Sequence, residues 1–311
     1  MQQFEVSLPD GGTISGRFSF PTVAENVHLP PLIVCIPGGS YDSEYFDANE
    51  THSIFTVATG LGIPVIALNR PGYGASTLPP NMNDLSTYNQ AQGRYLNSTI
   101  LPTLWTEFGG KANASAIVLL SHSIGATVAI ISAGSYAGSE GYPLAGIITS
   151  GIGTELSQQP RDGMVHLMSE PSEFIHFDSD VKDALMLQLP HRKLAGLDMR
   201  EHTERLNKPV PRGELHDINT TWLGYWKEYS SQIGVPLLHG LAEFDGLWVS
   251  SPQILNDYKA AFTQSPHVIC EQIPMAPHCI ELSFQGRAWY MRCCAFATQC
   301  TISRGVSSEE E

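Results

Sequence analysis

The sequence predicts an α/β fold in which a mostly parallel central sheet is covered by helices on both faces. Three observations predict it: short apolar runs recur along the chain, helix-like segments separate them, and one long interval breaks the alternation. Near-continuous apolar runs of about five residues are typical of strands buried on both faces of a parallel sheet. Strands that alternate with helices favour a parallel sheet with helices on each side.

The elements follow one another in a regular order that starts with a hairpin. Phe4–Leu8 and Thr13–Phe20 alternate with the period of a strand, and Pro-Asp-Gly-Gly lies between them. The predicted buried strands are Pro31–Ile36, Ile63–Leu68, Ala116–Leu120, Leu144–Thr149, Val235–His239 and His267–Ile273. The predicted helices lie around residues 50–60, 84–108, 124–138 and 250–264.

One interval, residues 155–232, contains no good candidate for a buried strand. It is richer in charge and proline than its surroundings, and Val181–Leu189 has a helix-like pattern. We interpret the interval as a helical lid inserted over the sheet. The chain is then a single domain, residues 1–311, whose core comprises residues 1–154 and 233–303.

Four aromatic residues near the end of this lid have helical spacing. Trp222, Tyr225, Trp226 and Tyr229 follow the i, i+3, i+4, i+7 pattern of one helix face. Because large apolar side chains prefer burial, we expect this face to pack the lid onto the core. Lining a pocket is the alternative.

The overall composition limits the classes of partner. The chain has 311 residues and a formal net charge of -14, which disfavours nucleic acid and anionic membrane surfaces as partners. No apolar stretch approaches the roughly 18 residues that a membrane span needs, and the N-terminal residues do not resemble a signal peptide. A small molecule is therefore the expected partner, and the oligomeric state is not predicted. The acidic residues 304–311 are expected to form a disordered tail.

The cysteines show no C-x-x-C spacing and no even framework of the kind found in short secreted chains. They are Cys35, Cys270, Cys279, Cys293, Cys294 and Cys300. We therefore expect free thiols in a reducing compartment, and hence a cytoplasmic location.

A polar segment, Ser121-His122-Ser123-Ile124-Gly125, lies between an apolar strand and a helix of small residues. A nucleophile elbow is a sharp strand-to-helix turn that holds one serine in a strained backbone conformation, and the residues two before and two after that serine must be small. Ser121 and Gly125 meet this requirement, so Ser123 is the candidate nucleophile. Unpaired N–H groups and the dipole at the helix N-terminus would stabilise negative charge that develops there.

From this segment outward, the chain resembles the α/β-hydrolase superfamily over nearly its full length. Pro37-Gly38-Gly39-Ser40 follows an apolar strand at the place where the family usually carries His-Gly, and Asn69–Ser76 (NRPGYGAS) is similar to the family's turn after the next strand. Two positions depart from the family pattern. Ser121 replaces the more common Gly, and Pro37 replaces the usual His.

The resemblance implies an oxyanion hole made of two backbone N–H groups. They would be those of Gly39 and Ile124, with Ser40 as the alternative to Gly39. These groups would hold the negative oxygen that forms when a carbonyl is attacked.

The resemblance also implies an acid and a histidine after late strands, in the chain order Ser, acid, His. His278 comes directly after the last apolar strand and is the candidate base. His122 is adjacent to Ser123, but neighbouring side chains in an elbow point in different directions, so we do not expect it to reach the hydroxyl productively. His239 lies within a predicted strand and is expected to be a hydrogen-bonded core residue.

Two carboxylates compete for the role of the acid. Asp245 takes that role if Ala242 stands where the family often has glycine, and Glu243 takes it if Gly240 does. We favour Asp245, because the Glu-x-Asp pattern is then complete and Gly246 permits a turn after it. The acid must orient the imidazole and stabilise the imidazolium.

These residues predict a serine hydrolase that cleaves a carboxylic ester, thioester or related acyl bond of a small, apolar molecule. The sequence has no zinc pattern, phosphate loop or dinucleotide glycine pattern, so no metal and no cofactor are expected. A fainter similarity, mainly in Asp245-Gly246-Leu247-Trp248, links the chain to fungal hydrolases of secondary-metabolite gene clusters. Two other functions stay open: a lyase, cyclase or carbon–carbon bond-cleaving enzyme on the same fold, and a small-molecule receptor with a slow or inactive site.

Overall fold

The computed structural model describes residues 1–21, 29–80, 82, 84, 87–169 and 172–309. Its strands are β1 (Gln2–Ser7), β2 (Thr13–Ser19), β3 (Pro31–Ile36), β4 (Asp47–Asn49), β5 (His52–Ser53), β6 (Val65–Asn69), β7 (Ala116–His122), β8 (Leu144–Ser150), β9 (Phe174–Ile175), β10 (Val210–Pro211), β11 (Leu237–Phe244) and β12 (Val268–Pro277).

The α-helices of the described residues are α1 (Ile54–Gly60), α2 (Tyr88–Tyr95), α3 (Leu101–Leu104), α4 (Ile124–Gly134), α5 (Gln158–Met168), α6 (Ser179–Met186), α7 (Arg200–Leu206), α8 (Arg212–Thr220), α9 (Trp222–Ser230), α10 (Pro252–Ala260) and α11 (Gly286–Glu309). Two π-helical segments, Leu96–Ile100 and Trp105–Gly109, continue α2 and α3 into one helical stretch.

Eight strands form the central sheet in the order β1-β2-β6-β3-β7-β8-β11-β12. The pairs β1–β2 and β2–β6 are antiparallel, and the pairs from β6 across to β12 are parallel. The α/β class, the mostly parallel sheet and the N-terminal hairpin predicted from the sequence are therefore confirmed.

The core lies on both faces of this sheet, and β3 shows why its sequence reads as a continuous apolar run. Leu32, Val34 and Ile36 belong to the apolar cluster on one face, which includes side chains of α4. Ile33 and Cys35 belong to the cluster on the other face, which includes side chains of α1 and α11. Side chains of a strand alternate between faces, so burial on both faces requires every position to be apolar.

Several element boundaries differ from the sequence predictions. β11 continues to Phe244 instead of ending at His239, and β12 continues to Pro277 instead of Ile273, because parallel pairing between these two strands persists as far as Phe244 opposite Pro277. The sequence patterns did not predict α11, whose backbone remains helical to Glu309. The predicted disordered tail therefore begins as helix at residue 304, and residues 310–311 lie outside the described part of the chain.

The predicted lid, residues 155–232, contains α5 to α9 and a small antiparallel pair formed by β9 and β10. α5 packs against α8, and α8 packs against α2 of the core. At the end of the interval, α9 packs against α4. The domain limits given above remain a prediction.

Candidate active site

Ser123 occupies the turn between β7 and α4. Its backbone has φ 53° and ψ -123°, a left-handed conformation that is strained for a residue with a side chain. Gly125 lies so close to the Ile36 and Pro37 carbonyl oxygens that a Cβ at this position would overlap them. The Ser121 hydroxyl donates to the Ile148 carbonyl at 2.8 Å and is fully buried. The local features of an elbow are therefore present, with the partly exposed Ser123 at its apex.

His278 and Asp245 each follow the last residue of a strand, and those last residues are paired. Phe244 of β11 lies opposite Pro277 of β12, so the next residue on each strand emerges at the same edge of the sheet. The His278 Nε2 atom lies 3.2 Å from Ser123 Oγ. Its Nδ1 lies 2.9 Å and 3.0 Å from the two Asp245 carboxylate oxygens. A hydrogen-bonded chain from serine through histidine to carboxylate results.

The two candidate acids have different surroundings. Asp245 accepts hydrogen bonds from the backbone N–H groups of Leu247 and Trp248 at 2.8 Å and 3.0 Å, which hold its side chain in the turn after β11. Glu243 instead accepts from the backbone N–H of Met275 at 2.8 Å, an exposed contact. The structure brings Asp245, and not Glu243, to His278.

Gly39 and Ile124 lie beside Ser123 in the wall of one pocket. The backbone N–H of neither residue donates to another group among the described residues, so both are free to donate to the oxygen of a bound substrate. Ser40 differs, because its N–H donates to the Tyr73 hydroxyl at 3.1 Å. The geometry therefore favours Gly39 over Ser40 as the partner of Ile124.

A buried arginine braces the loop that carries Gly39. Arg70 donates to the Pro37 carbonyl at 2.7 Å and to the Gly38 carbonyl at 3.1 Å. It also forms a two-point ion pair with Glu214 of α8, at 2.6 Å and 2.9 Å. Burial acts to lower the pKa of Arg70, but the Glu214 carboxylate raises it, so the arginine stays charged. This bracing occurs where the loop has Pro37 in place of the family's His.

A second buried network lies behind His278, and sequence analysis did not predict it. The Glu281 carboxylate accepts from Ser150 Oγ at 2.6 Å, Tyr45 OH at 2.7 Å and Trp289 Nε1 at 3.0 Å. His122 Nδ1 lies 3.0 Å from Ser150 Oγ. The position of Glu281, three residues after His278, is a signal in the sequence that could have pointed to this network.

His122 contacts this network and not the Ser123 hydroxyl. Its ring stacks on Tyr45 and lies edge-on to His278, with ring centres 4.9 Å apart. Its Nε2 lies 3.6 Å from Cys279 Sγ. Burial lowers the pKa of His122 far below its ordinary value, so the ring is neutral. Its role among these buried side chains is therefore structural.

His239 is a core residue, as expected, but only one of its two ring nitrogens is hydrogen-bonded among the described residues. Its Nδ1 lies 2.9 Å from Thr149 Oγ1, and its ring stacks on Tyr258. Its Nε2 has no hydrogen-bond partner among the described residues. Burial lowers the pKa of His239 to about 3, which keeps the ring neutral and reduces the cost of the unpaired atom.

The pocket beside Ser123 is narrow and mostly apolar. Its free volume is about 50 Å³, room for a few water molecules. The core contributes Gly39, Ser123, Ile124, Leu247 and Trp248 to its wall, and the predicted lid contributes Leu156, Pro160, Arg161, Met164, Phe177, Met186, Leu215, Ile218 and Asn219. Most of the wall opposite the serine therefore comes from the predicted lid.

The aromatic face of α9 packs onto the core, as the spacing predicts. Trp222 and Trp226 are buried, and Trp226 stacks on Tyr258 of α10 with ring centres 5.4 Å apart. The Tyr225 hydroxyl donates to Asp217 of α8, and the Tyr229 hydroxyl donates to the Gln90 side chain of α2. None of the four aromatic residues lines the pocket beside Ser123.

All six cysteines are free thiols. Within the described ranges, no cluster of three or more His, Cys, Asp or Glu side chains is arranged to hold a metal ion. Among the same residues, no helix has the length and apolar character needed to cross a membrane. The expectations of no cofactor and of a cytoplasmic location remain predictions.

The mostly parallel sheet, with a serine turn, a histidine and a carboxylate at the carboxyl ends of its strands, is the arrangement found in α/β hydrolases. Residues 33–281 match the sequence model of the alpha/beta hydrolase family, and the chain belongs to that family.

Three solved structures illustrate the likeness. An esterase from Thermogutta terrifontis is 17% identical, with a TM-score of 0.60 over 97% of this chain and 100% of the esterase. The N-acyl homoserine lactonase AidH is 15% identical, with a TM-score of 0.62 over 96% of this chain and 97% of the lactonase. A hydrolase from Pseudomonas aeruginosa is 15% identical, with a TM-score of 0.60 over 96% of this chain and 98% of that hydrolase. Such low identities show the fold alone, and no curated protein sequence matches this chain significantly.

Proposed function

We propose that this chain is a serine hydrolase that cleaves a carboxylic ester, thioester or related acyl bond of a small, largely apolar molecule. The observation that carries the proposal is the chain of contacts from Ser123 Oγ through His278 to the Asp245 carboxylate. A place in secondary metabolism belongs to the same proposal and rests on the sequence resemblance alone.

In the proposed mechanism, Ser123 Oγ attacks the acyl carbonyl while its proton passes to His278 Nε2. The carbonyl oxygen becomes an oxyanion and accepts hydrogen bonds from the Gly39 and Ile124 N–H groups. His278 then gives the proton to the leaving alcohol or thiol, and the acyl group remains on Ser123. Water attacks this acyl-enzyme with His278 as base, releases the acid and restores Ser123. Asp245 holds the imidazole and stabilises its protonated form throughout.

Because the wall of the pocket is mostly apolar, it favours a substrate whose acyl group or leaving group is apolar. The pocket is far smaller than the roughly 300–1,000 Å³ of typical ligand pockets. A substrate larger than a few atoms therefore requires the lid residues to move apart.

A fluorophosphonate probe tests the proposed nucleophile. The probe should label Ser123, and the Ser123→Ala variant should lose the label together with at least about 10³-fold in kcat on its best ester. Ser121→Ala is the matched control, because the Ser121 hydroxyl is bonded to the Ile148 carbonyl; it should keep the label.

A panel of acyl esters and thioesters, read by mass spectrometry, then separates the functions. Turnover with release of acid supports hydrolysis. A labelled Ser123 without turnover of any ester would favour the receptor with a slow site. Turnover without added water, giving either fragments whose masses sum to that of the substrate or a cyclic acyl product plus the free alcohol or thiol, would favour a lyase or cyclase.

A further inference from the structure

We propose that Lys182 is a positioning residue for the oxyanion hole: its ammonium group holds the Ser40 carbonyl and so fixes the backbone on which the Gly39 N–H depends. The inference rests on the proposed serine-hydrolase function and adds to it a residue of the predicted lid that lies outside the pocket wall. Four observations support it.

The first observation is the set of groups around the Lys182 ammonium. Nζ lies 2.9 Å from the Ser40 carbonyl oxygen, 3.0 Å from Ser40 Oγ, 3.3 Å from the Leu206 carbonyl and 3.2 Å from Asn207 Oδ1. It also lies 3.7 Å above the centre of the Tyr41 ring. All these groups attract a positive charge, so the ammonium has a complete set of partners.

The second observation is that burying the Lys182 ammonium group costs free energy. Lys182 is 1% exposed, and no carboxylate among the described residues lies within ion-pair distance of Nζ. Buried lysines are rare because an ammonium loses its hydration, and those without a carboxylate partner are rarer. A leucine or methionine would fill the same space at a lower free-energy cost. We therefore expect the positive charge to be needed for the contact with Ser40.

The third observation is the conformation of Ser40. Its φ is 62°, in the left-handed region that a residue with a side chain adopts only when its surroundings hold it there. Its N–H is held by Tyr73 and its carbonyl by Lys182 and by the backbone N–H of Lys208 at 3.0 Å. On the other side of Gly39, Arg70 holds the Gly38 carbonyl. The Gly39 N–H shares a planar peptide group with the Gly38 carbonyl, so Arg70 fixes that group directly. The contacts of Tyr73, Lys182 and Lys208 with Ser40 hold the chain on the other side of Gly39 and so limit rotation about the backbone bonds between them.

The fourth observation is that α6, which carries Lys182, contacts all three loops of the site. The Cys279 N–H, directly after His278, donates to the Met186 carbonyl at 2.9 Å. Gly246, directly after Asp245, lies against the Leu185 carbonyl so closely that a Cβ there would overlap it. Lys182 adds the contact to the oxyanion loop. One helix thus sets the distances between the loops that carry Gly39, Asp245 and His278.

The charge on Lys182 varies in an accessible pH range. Burial lowers the pKa of Lys182 to about 7, while the negative charges of Asp183 and Asp42 act to raise it and Lys208 acts to lower it. Above pH 7 the ammonium loses a proton, and with it one donor and its attraction to the Ser40 carbonyl. The Gly39 N–H is then held less firmly, so the chemical step is expected to slow.

The test compares Lys182→Met with the wild type and with Lys193→Met, an exposed lid lysine, as control. On a hydrolysed ester, Lys182→Met should lower kcat about 10- to 100-fold, less than or equal to the loss of one oxyanion donor. KM should change by less than about twofold, because Lys182 does not line the pocket. The wild type should lose kcat as pH rises past about 7, and Lys182→Met should show no such descending limb. Lys193→Met should match the wild type.

A purely structural role for Lys182 would lower stability but leave the shape of the pH profile unchanged. A Lys182→Met variant with kcat within twofold of the wild type, or with the same descending limb, overturns the inference. If circular dichroism shows that this variant does not fold, the pH profile of the wild type is the test. A wild-type kcat that stays constant from pH 7 to 9 overturns the inference. A wild type that hydrolyses no ester and takes no fluorophosphonate label refutes the proposed function instead.

Discussion

At the scale of single residues, close backbone approach determines the shape of the site. The loop around Gly39 lies against the start of α4, so that Gly125 has no room for a side chain beside the Ile36 and Pro37 carbonyls. The same approach places Gly39 and Ile124 beside Ser123 in the wall of one pocket. Small size at position 125 is therefore a steric requirement.

Gly125→Ala is expected to be among the most damaging small substitutions in the chain. The added methyl group would overlap two backbone oxygens, so either the loop or α4 must shift, at a cost of more than about 2 kcal/mol in the free energy of unfolding. Gly110→Ala is the control, since nothing lies within 4 Å of a Cβ there. Urea unfolding measures both. Equal stability of the two variants would contradict the steric argument.

The two acids near the end of β11 allow a matched comparison. Asp245→Asn keeps the shape but removes the charge that orients the His278 imidazole, so kcat should fall roughly 10²–10⁴-fold with KM much less affected. Glu243→Gln should change kcat by less than about tenfold, because the hydrogen bond of this carboxylate among the described residues goes to the exposed Met275 backbone and not to His278. Steady-state kinetics on one ester measures both variants. A reversed pattern would move the acid assignment to Glu243.

At the scale of elements, the helices of the predicted lid differ in how they are attached. α8 is held to the core by buried polar contacts: Glu214 pairs with Arg70, and Asp217 accepts from the Asn89 N–H at the start of α2. Among the described residues, no buried ion pair or buried side-chain hydrogen bond holds α5 to the core. Among its described side chains, Met164 and Met168 are the buried ones, and its exposed side chains include the apolar Val165 beside polar residues.

α5 is therefore expected to be the part of the lid that opens. Its backbone amides should exchange with solvent faster than those of α8 and much faster than those of β7, since opening requires the loss of few buried contacts. A covalent inhibitor on Ser123 that fills the pocket should slow exchange in α5, which lines the pocket through Pro160, Arg161 and Met164.

Hydrogen exchange read by mass spectrometry resolves these peptides. Exchange in α5 as slow as in β7, with and without inhibitor, would rule out a mobile lid. Fast exchange throughout α5 and α8 would show that the buried Arg70–Glu214 pair does not anchor α8.

At the scale of the whole molecule, burial of the thiols links stability to pH. Burial raises the pKa of Cys270, Cys279, Cys294 and Cys300 to about 12, from an ordinary value near 9.0. The folded state then keeps these protons at a pH where the unfolded state has released them. Each thiol contributes stability that is fully present below about pH 9 and is lost as the pH rises toward 12.

The free energy of unfolding should therefore decline above pH 9, by up to about 1.4 kcal/mol per pH unit for each such thiol. Lys182 acts in the opposite direction, since its lowered pKa adds stability as the pH rises from 7 toward 10.5. The four thiols together outweigh this single group. Urea unfolding under reducing conditions at pH 7.5 and pH 10 measures the decline. Cys300→Ala should reduce the slope, and equal stability at both pH values would contradict the prediction.

The sequence by itself determined the features that depend on local patterns. Apolar runs such as Pro31–Ile36 predicted the doubly covered sheet, because burial on both faces leaves no polar position in a strand. Small residues around Ser123 predicted a sharp turn, because an elbow leaves no room for larger side chains two positions before and after its serine. The backbone that Gly125 approaches belongs to the distant segment at Ile36 and Pro37. The resemblance to the α/β-hydrolase superfamily, with its chain order Ser, acid, His, predicted that His278 would act on Ser123.

Only the tertiary structure decided the contacts between distant segments. Asp245 meets His278 and Glu243 does not, because pairing of β11 with β12 continues to Phe244 and turns the next side chain inward. Lys182 reaches Ser40 across 142 positions of sequence, and no periodicity or motif predicts such a contact. These groups attract each other only after the sheet has brought the loops together and removed water from between them, so their pairing is a property of the folded chain.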